Sequence, residues 1–287
     1  MLEFFLGGVL LYLSMFCFRF FFVFFLSKYY NESFTKNFEF DLIQFIIESI
    51  FFGVVFLSFM LISEILIQRN LLLSLVSVLI ISLIPTYLFI ISPIQFLLKK
   101  KEYSDFDSNF FCTNYSILES YKIKVINKNV FNAYATGIIP FSKTILIGKP
   151  LVDNLTKEEL FSILLHEAGH LKLNHLNKLY FINLIIAVVS HLLFQLRSFY
   201  FHYDNEILNV FFVGITGAMF GLLLWFLPGK IQYKFEFEAD RFAAKYNGEE
   251  NLINALKKLD EMSNGDVSKG GITHPKLIFR INNILKQ

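Results

Sequence analysis

"FSILLHEAGHLKLNH", residues 161–175, sets two histidines four positions apart on a segment that reads as helix. Residues four apart lie on one helix face, so His166 and His170 present two imidazoles to a single ion. Glu167 stands next to the first of them and reaches a water beside that ion rather than the ion itself. This HExxH spacing is the zinc-peptidase arrangement, with two histidine ligands and the glutamate as general base. Its surroundings fit. Thr156 with Glu159 three residues later is a capping-box pattern that starts the helix, and Leu160, Ile163, Leu164 and Leu171 give it an apolar stripe. Ala168 and Gly169 between the histidines are small. The bland reading, two histidines on a solvated helix face, leaves that context unexplained.

A catalytic zinc ion usually takes three protein ligands and keeps one position open. His175 is a poor third ligand, because the HExxHxxGxxH pattern would need Gly at Leu173 and His at Leu176; it reads as a helix C-terminal cap or a surface group. Further on, "YKFEFEADRFAA" (233–244) carries Glu236 and Asp240 four apart, on one helix face, while Glu238 points elsewhere. Glu236 as the third ligand, with Asp240 orienting a ligand histidine, is one reading. A solvated acidic helix start is the other, and the residues alone weigh them equally.

The rest of the chain is far from a soluble composition. Of 287 residues, 55% are hydrophobic and 37 are Phe, and the mean hydropathy is +0.53. Five stretches, about 4–26, 42–67, 71–97, 179–200 and 207–227, are long and apolar enough to be transmembrane helices. Pro85 and Pro93 kink or shorten the third. Arg19, Glu48 and Glu64 lie in or near spans, where such groups snorkel, sit at an interface or face protein. Lys99, Lys100 and Lys101 come directly after the third span, and the positive-inside rule puts the chain beyond them in the cytoplasm and the N-terminus outside. Spans four and five then form a hairpin whose two ends return to the same membrane face. The N-terminal run has no basic flank or cleavage site and is expected to be retained rather than removed as a signal peptide. A net charge of +2, with no basic stripe interleaved with aromatics, excludes a nucleic-acid partner. Cys17 and Cys112 imply no disulfide framework. Between the lysines and span four, "YKIKVINKNVFNAYATG" and "KTILIGKPL" hold short alternating or β-branched runs that predict strands.

Five motifs in order, "NAYATG" (132–137), "LTKEEL" (155–160), "HEAGHLKLNH" (166–175), "EFEAD" (236–240) and "THPKLIFRI" (273–281), resemble the HtpX-type and CAAX-prenyl-protease family of integral-membrane zinc metallopeptidases. With the hairpin between the third and fourth, the resemblance runs over roughly residues 120–281. It implies one zinc ion per chain, held by His166, His170 and Glu236, with Glu167 as general base. It further implies that Asp240 orients a ligand, that His274 stabilises the oxyanion with support from Arg280, and that Asn132 and Ala133 line the substrate cleft. There are departures: Gln232 and Tyr233 stand where the family often has Ser-Arg, and three N-terminal spans are expected where the short bacterial members usually have two.

The expected fold class is a mainly α membrane protein, with about five transmembrane helices and a cytoplasmic zincin-like α+β metallopeptidase domain holding a small β-sheet. The expected boundaries are 1–98 for the N-terminal membrane region and 99–178 for the first part of the peptidase domain. The transmembrane hairpin comes next at 179–228, and the second part of the peptidase domain at 229–287. The implied function is a zinc metalloendopeptidase in the inner or plasma membrane of a bacterium, with its active site facing the cytoplasm. It would cleave misfolded or membrane-associated proteins, bound as an added strand on an edge at 132–136 or 144–147. Two other readings stand beside it. One is a signal-transducing metallopeptidase resembling the BlaR/MecR group, which lacks room here for a receptor domain; the other is a silent scaffold, which would have no use for Glu167.

Overall fold

The computed structural model describes residues 78–79, 82–83, 85–86, 89–90, 103–106, 117–200, 228–271 and 274–286. Two compact units make up the chain, Met1–Leu83 with Val188–Asn209 and Ile84–Ala187 with Val210–Gln287. In the first, every described residue is helical. All the expected site residues belong to the second, which is mostly helical with a small sheet.

That sheet has four strands, β1 (Tyr103–Asp105), β2 (Lys122–Ile126), β3 (Ala133–Thr136) and β4 (Thr144–Gly148), in the order β1-β2-β4-β3. β2 and β4 run parallel, with Lys122 opposite Thr144, while β1 pairs antiparallel with β2 and β3 antiparallel with β4. A parallel pair buried on both faces reads as a continuous apolar run, and "TILIG" is buried throughout. β4 is therefore an inner strand. The expectation of a substrate edge at 144–147 is corrected by this pairing: both of its edges are taken, and the free edge on this side of the sheet belongs to β3, residues 133–136.

After β4, Gly148 opens a short helix α1 (Lys149–Asn154) at a point where a side chain would strike the Val130 carbonyl. The HExxH helix α2 (Lys157–Lys172) starts with the capping box the sequence predicts. Thr156 N–H donates to Glu159 Oε2 at 2.9 Å and Glu159 N–H to Thr156 Oγ1 at 3.2 Å. α2 is almost wholly enclosed, with Leu160, Ile163, Leu164, Leu165, Ala168 and Leu171 in one core with Ile145 and Ile147 of β4. At about 1.5–3 kcal/mol for each buried aliphatic side chain, this packing dominates the placement of α2.

Asn174 ends α2 with φ 55°, a left-handed turn, and Lys143 Nζ steadies it by donating to the Leu171 carbonyl and to Asn174 Oδ1, both at 3.3 Å. Helix α3 (His175–Tyr200) follows this turn. Its stretch His175–Leu193 is, among the described residues, the one segment long and apolar enough to cross a membrane. Phe181, Ile185 and Val189, four apart, expose one apolar stripe along it. From the third expected span, Thr86 Oγ1 lies 3.2 Å from Tyr180 Oη, and Phe89 meets the Tyr180 ring edge-on. The expected spans at 4–26, 42–67 and 207–227, and most of 71–97, lie outside the described residues.

Helix α4, described over 228–247, returns beside α2. Its far end is pinned by Asn247 Nδ2, which donates to the Glu158 carbonyl and to Ser162 Oγ, both at 2.7 Å. Asn247 therefore sits at the start of α2 while Glu236 faces the histidines near its end, so the two helices run antiparallel. A Cβ on Gly169 would lie 3.3 Å from the Ala239 Cα and 3.2 Å from the Phe242 ring. The missing side chain lets the backbones close up. Helices α5 (Glu249–Met262), α6 (Asp266–Lys269) and α7 (Leu277–Ile284) complete the unit. Leu252, Leu256 and Ile284 join the core under α2.

Candidate metal centre and active site

On α2, the 3.6-residue turn brings His166 and His170 to one side with their Nε2 atoms 3.2 Å apart. Glu236, brought across by the close α2–α4 packing, places Oε2 3.5 Å from His166 Nε2 and Oε1 3.4 Å from His170 Nε2. Four-coordinate zinc with bonds of about 2.0–2.1 Å separates its ligand atoms by roughly 3.3–3.4 Å. The triangle has that size. The three side chains form a group able to hold a metal ion.

Two further observations fit a cation. Glu236 Oε2 is fully buried and accepts no hydrogen bond, although His274 Nδ1 lies at 3.1 Å and Arg280 Nη1 at 3.9 Å. No hydrogen bond to it forms among the described residues, which suits an oxygen kept for a metal. Charge points the same way, since the buried Glu236 and Asp240 carboxylates face one guanidinium, Arg280. Burial alone would raise the Glu236 carboxyl, but His166, His170 and His274 outweigh it and hold the group well below the ordinary carboxylate range. Burial alone would lower His166, yet Asp240 and Glu236 raise it to about 10. The same two carboxylates that favour a charge on the ring would favour a divalent cation in its place, whose binding through Nε2 needs the ring neutral.

The supports of the site come from α4 and α7. Asp240, one helical turn after Glu236, accepts from His166 Nδ1 at 2.9 Å. Arg280 on α7 clasps the same carboxylate, Nη2 at 2.6 Å from Oδ1 and Nε at 2.9 Å from Oδ2. Burial would raise Asp240, but Arg280 and then His166 keep it lowered, while Asp240 in turn raises the buried Arg280. Arg280 Nη2 also lies 3.4 Å from His166 Nδ1. Its contacts run to Asp240, Glu236 and His166, and the Glu236 oxygen it approaches is the one that faces His274 Nδ1. Glu167 is buried beside the centre and forms no hydrogen bond or ion pair among the described residues. His274 is mostly exposed on its outer side and has only Nδ1 against Glu236. Asn132 Oδ1 accepts from Ala133 N–H at 2.9 Å, and the Asn132 carbonyl accepts from Gly148 N–H at 3.0 Å. The Ala133 side chain is buried, so what this start of β3 offers outward is backbone.

Three participants were not marked by the sequence reading. His175 is fully buried rather than a cap or surface group: Nδ1 is 3.1 Å from His170 Nδ1, Nε2 is 3.0 Å from Glu238 Oε2, and its ring stacks on Phe235. Glu238 does point away from Glu236, as its spacing requires, and meets His175 by doing so. Tyr233, where the resembling family often has arginine, donates its hydroxyl to the Gly271 carbonyl, and Gly271 N–H donates to the His274 carbonyl at 2.8 Å. That chain of contacts steadies the approach to His274. The E-x-E spacing of Glu236 and Glu238 was the one available signal for the His175 contact.

The solved structure of Ste24p from S. mikatae matches this fold with a TM-score of 0.60 at 21% identity, covering 79% of this chain and 62% of that one. "Protease HtpX" of Legionella pneumophila is 29% identical over 174 residues, 56% of this chain and 60% of its own length. "CAAX prenyl protease 1 homolog" of Arabidopsis thaliana is 26% identical over 167 residues, 53% of this chain and 39% of its own length. The chain thus spans about 60% or less of the curated relatives it matches. Residues 113–287, more than half of the chain and all of the side chains of the centre, match the profile of Peptidase family M48. The chain therefore belongs to Peptidase family M48, a family of metalloproteases.

Proposed function

We propose that the chain is a membrane-embedded zinc endopeptidase that cleaves misfolded or membrane-associated proteins at the cytoplasmic face of a bacterial membrane. The observation that carries the proposal is the His166, His170 and Glu236 triangle at zinc-ligand spacing, with Glu167 adjacent on the same helix. A zinc ion bound there would supply Lewis acidity, lowering the pKa of a water and polarising a peptide carbonyl. Glu167 takes the proton of the attacking water and returns it to the departing nitrogen. Through its nitrogen away from Glu236, His274 donates to the oxyanion as it forms. Asp240 and Arg280 keep His166 oriented meanwhile.

The substrate lies extended along the free edge of β3, which reads main chain rather than side chains, and low sequence specificity is the consequence. Quality control at the membrane is the role this specificity serves. Span His175–Leu193 begins at the centre itself, so peptide bonds near the bilayer surface are within reach. The peptidase part is built from 99–178 and 229–287 around a hairpin at 179–228, after a membrane region at 1–98.

The test compares detergent-purified wild type with Glu167→Gln for zinc content and for cleavage of casein. About one zinc per chain in both, with cleavage by wild type alone, is the expected result. Zinc in both with cleavage by neither would count against a peptidase and favour a scaffold or a gated sensor. Absence of zinc from wild type would sink the ligand set.

A further inference from the structure

We propose that His175 and Glu238 are positioning residues that fix the ring and tautomer of His170; the inference rests on the reading of His166, His170 and Glu236 as metal ligands. Three geometric facts carry it. His170 turns Nε2 toward His166 and Glu236 and Nδ1 toward His175, so its two nitrogens have separate duties. His175 links the second of these to Glu238, with Nδ1 3.1 Å from His170 and Nε2 3.0 Å from Glu238 Oε2. Its ring has no freedom to leave, being fully buried and stacked on Phe235 at 4.4 Å with an interplanar angle of 6°.

Chemistry fixes the proton positions. To bind a cation, His170 Nε2 must offer a lone pair, so the proton of the neutral ring is on Nδ1 and is donated to His175. His175 Nδ1 is then the acceptor and its proton is on Nε2, donated to Glu238. Reversing either bond puts the His170 proton on Nε2, facing the ligand atoms, where it blocks a metal. A carboxylate at the far end is thus what selects the binding tautomer two rings away. Metal-bound histidines commonly donate their other N–H to a carboxylate directly. Asp240 does so for His166; His170 reaches its carboxylate through an imidazole. Lys234 Nζ, 3.9 Å from Glu238 Oε1, adds a cation on the outer side.

The test uses the full chain in detergent and three variants: His175→Phe, His175→Asn and Glu238→Gln. Zinc affinity is measured by competition with a chromophoric chelator, the cobalt-substituted protein by its visible spectrum, and the metal-free fold by thermal unfolding. Phe keeps the stack on Phe235 but neither hydrogen bond, so zinc affinity should fall about 10- to 100-fold and the cobalt bands should move. Asn sets Oδ1 where Nδ1 stood and should recover most of the affinity. Glu238→Gln, on a partly exposed side chain, should weaken zinc binding with the metal-free midpoint unchanged. Wild-type zinc affinity and cobalt spectrum in both His175→Phe and Glu238→Gln would overturn the proposal alone. A loss of affinity that merely parallels a loss of metal-free stability in every variant would overturn it too, reducing His175 to packing. If wild type binds no zinc, or His170→Ala binds it unchanged, the ligand reading falls and this inference with it.

Discussion

His166 and His170 sit one turn apart on the same buried helix, yet they are held in unlike ways. His166 is fixed by a carboxylate it touches, Asp240, which is fully buried and clasped by Arg280 through two bonds. His170 is fixed through a second imidazole, and its carboxylate, Glu238, is 24% exposed on its side chain. The first support is therefore part of the fold's electrostatics and the second is nearly separable from it. Removing one partner of a buried ion pair costs about 3–5 kcal/mol, because the remaining charge is stranded. A partly exposed carboxylate leaves its partners access to water, and its loss costs less.

The largest expected effect is thus Asp240→Ala. Thermal unfolding of the metal-free protein should show a loss of about 3–5 kcal/mol, with buried Arg280 left only its longer 3.9 Å approach to Glu236. Pairing the change with Arg280→Met should recover part of the loss, since two apolar groups strand no charge. Glu238→Ala should cost about 1 kcal/mol or less in the same experiment. Equal losses from Asp240→Ala and Glu238→Ala would erase the contrast between the two supports.

Next in size is a change that strikes both histidines together. Gly169 lies between them, and the α2–α4 approach depends on its missing side chain. Gly169→Val overfills that contact and should cost about 1–3 kcal/mol. It should also lower zinc content, since Glu236 is carried away from both rings. Gly169→Ala, whose Cβ needs only a few tenths of an ångström from Phe242 and Ala239, should fold and keep zinc. A Val variant with full zinc content would mean that the ligand spacing does not depend on this approach.

What could be read in advance divides along the same line. Local grammar was legible: the capping box at Thr156, the shared face of His166 and His170, and strands within 121–137 and 143–151 all rest on short-range rules. Which strand is the edge was not legible, because "TILIG" and "AYAT" both read as strands and only pairing tells the inner one from the outer. Glu236 was a candidate from its spacing, but nothing within "EFEAD" says that the helix crosses α2 at a glycine. His175 was weighed only as a third ligand, and the HExxHxxGxxH spacing fails for that role. On a continuous helix, a residue five after His170 turns about 140° away from it, so extrapolating α2 removes His175 from the centre.

The smallest expected effect tests the turn that undoes this extrapolation. Asn174, at φ 55°, breaks α2 and redirects the chain so that His175 folds back under His170. A left-handed backbone suits Asn or Gly better than other residues. Asn174→Ala should cost about 1 kcal/mol and also lose the bond from Lys143 Nζ. Asn174→Gly removes the same side chain and the same bond but accepts the backbone angle, and should come close to wild-type stability. Because the strain falls on the His170 side alone, the Ala variant should release zinc faster, while the bond of His166 to Asp240 remains. If Ala and Gly behave alike in unfolding and in zinc release, the left-handed turn has no part in holding His170, and the burial of His175 comes from packing against Phe235 instead.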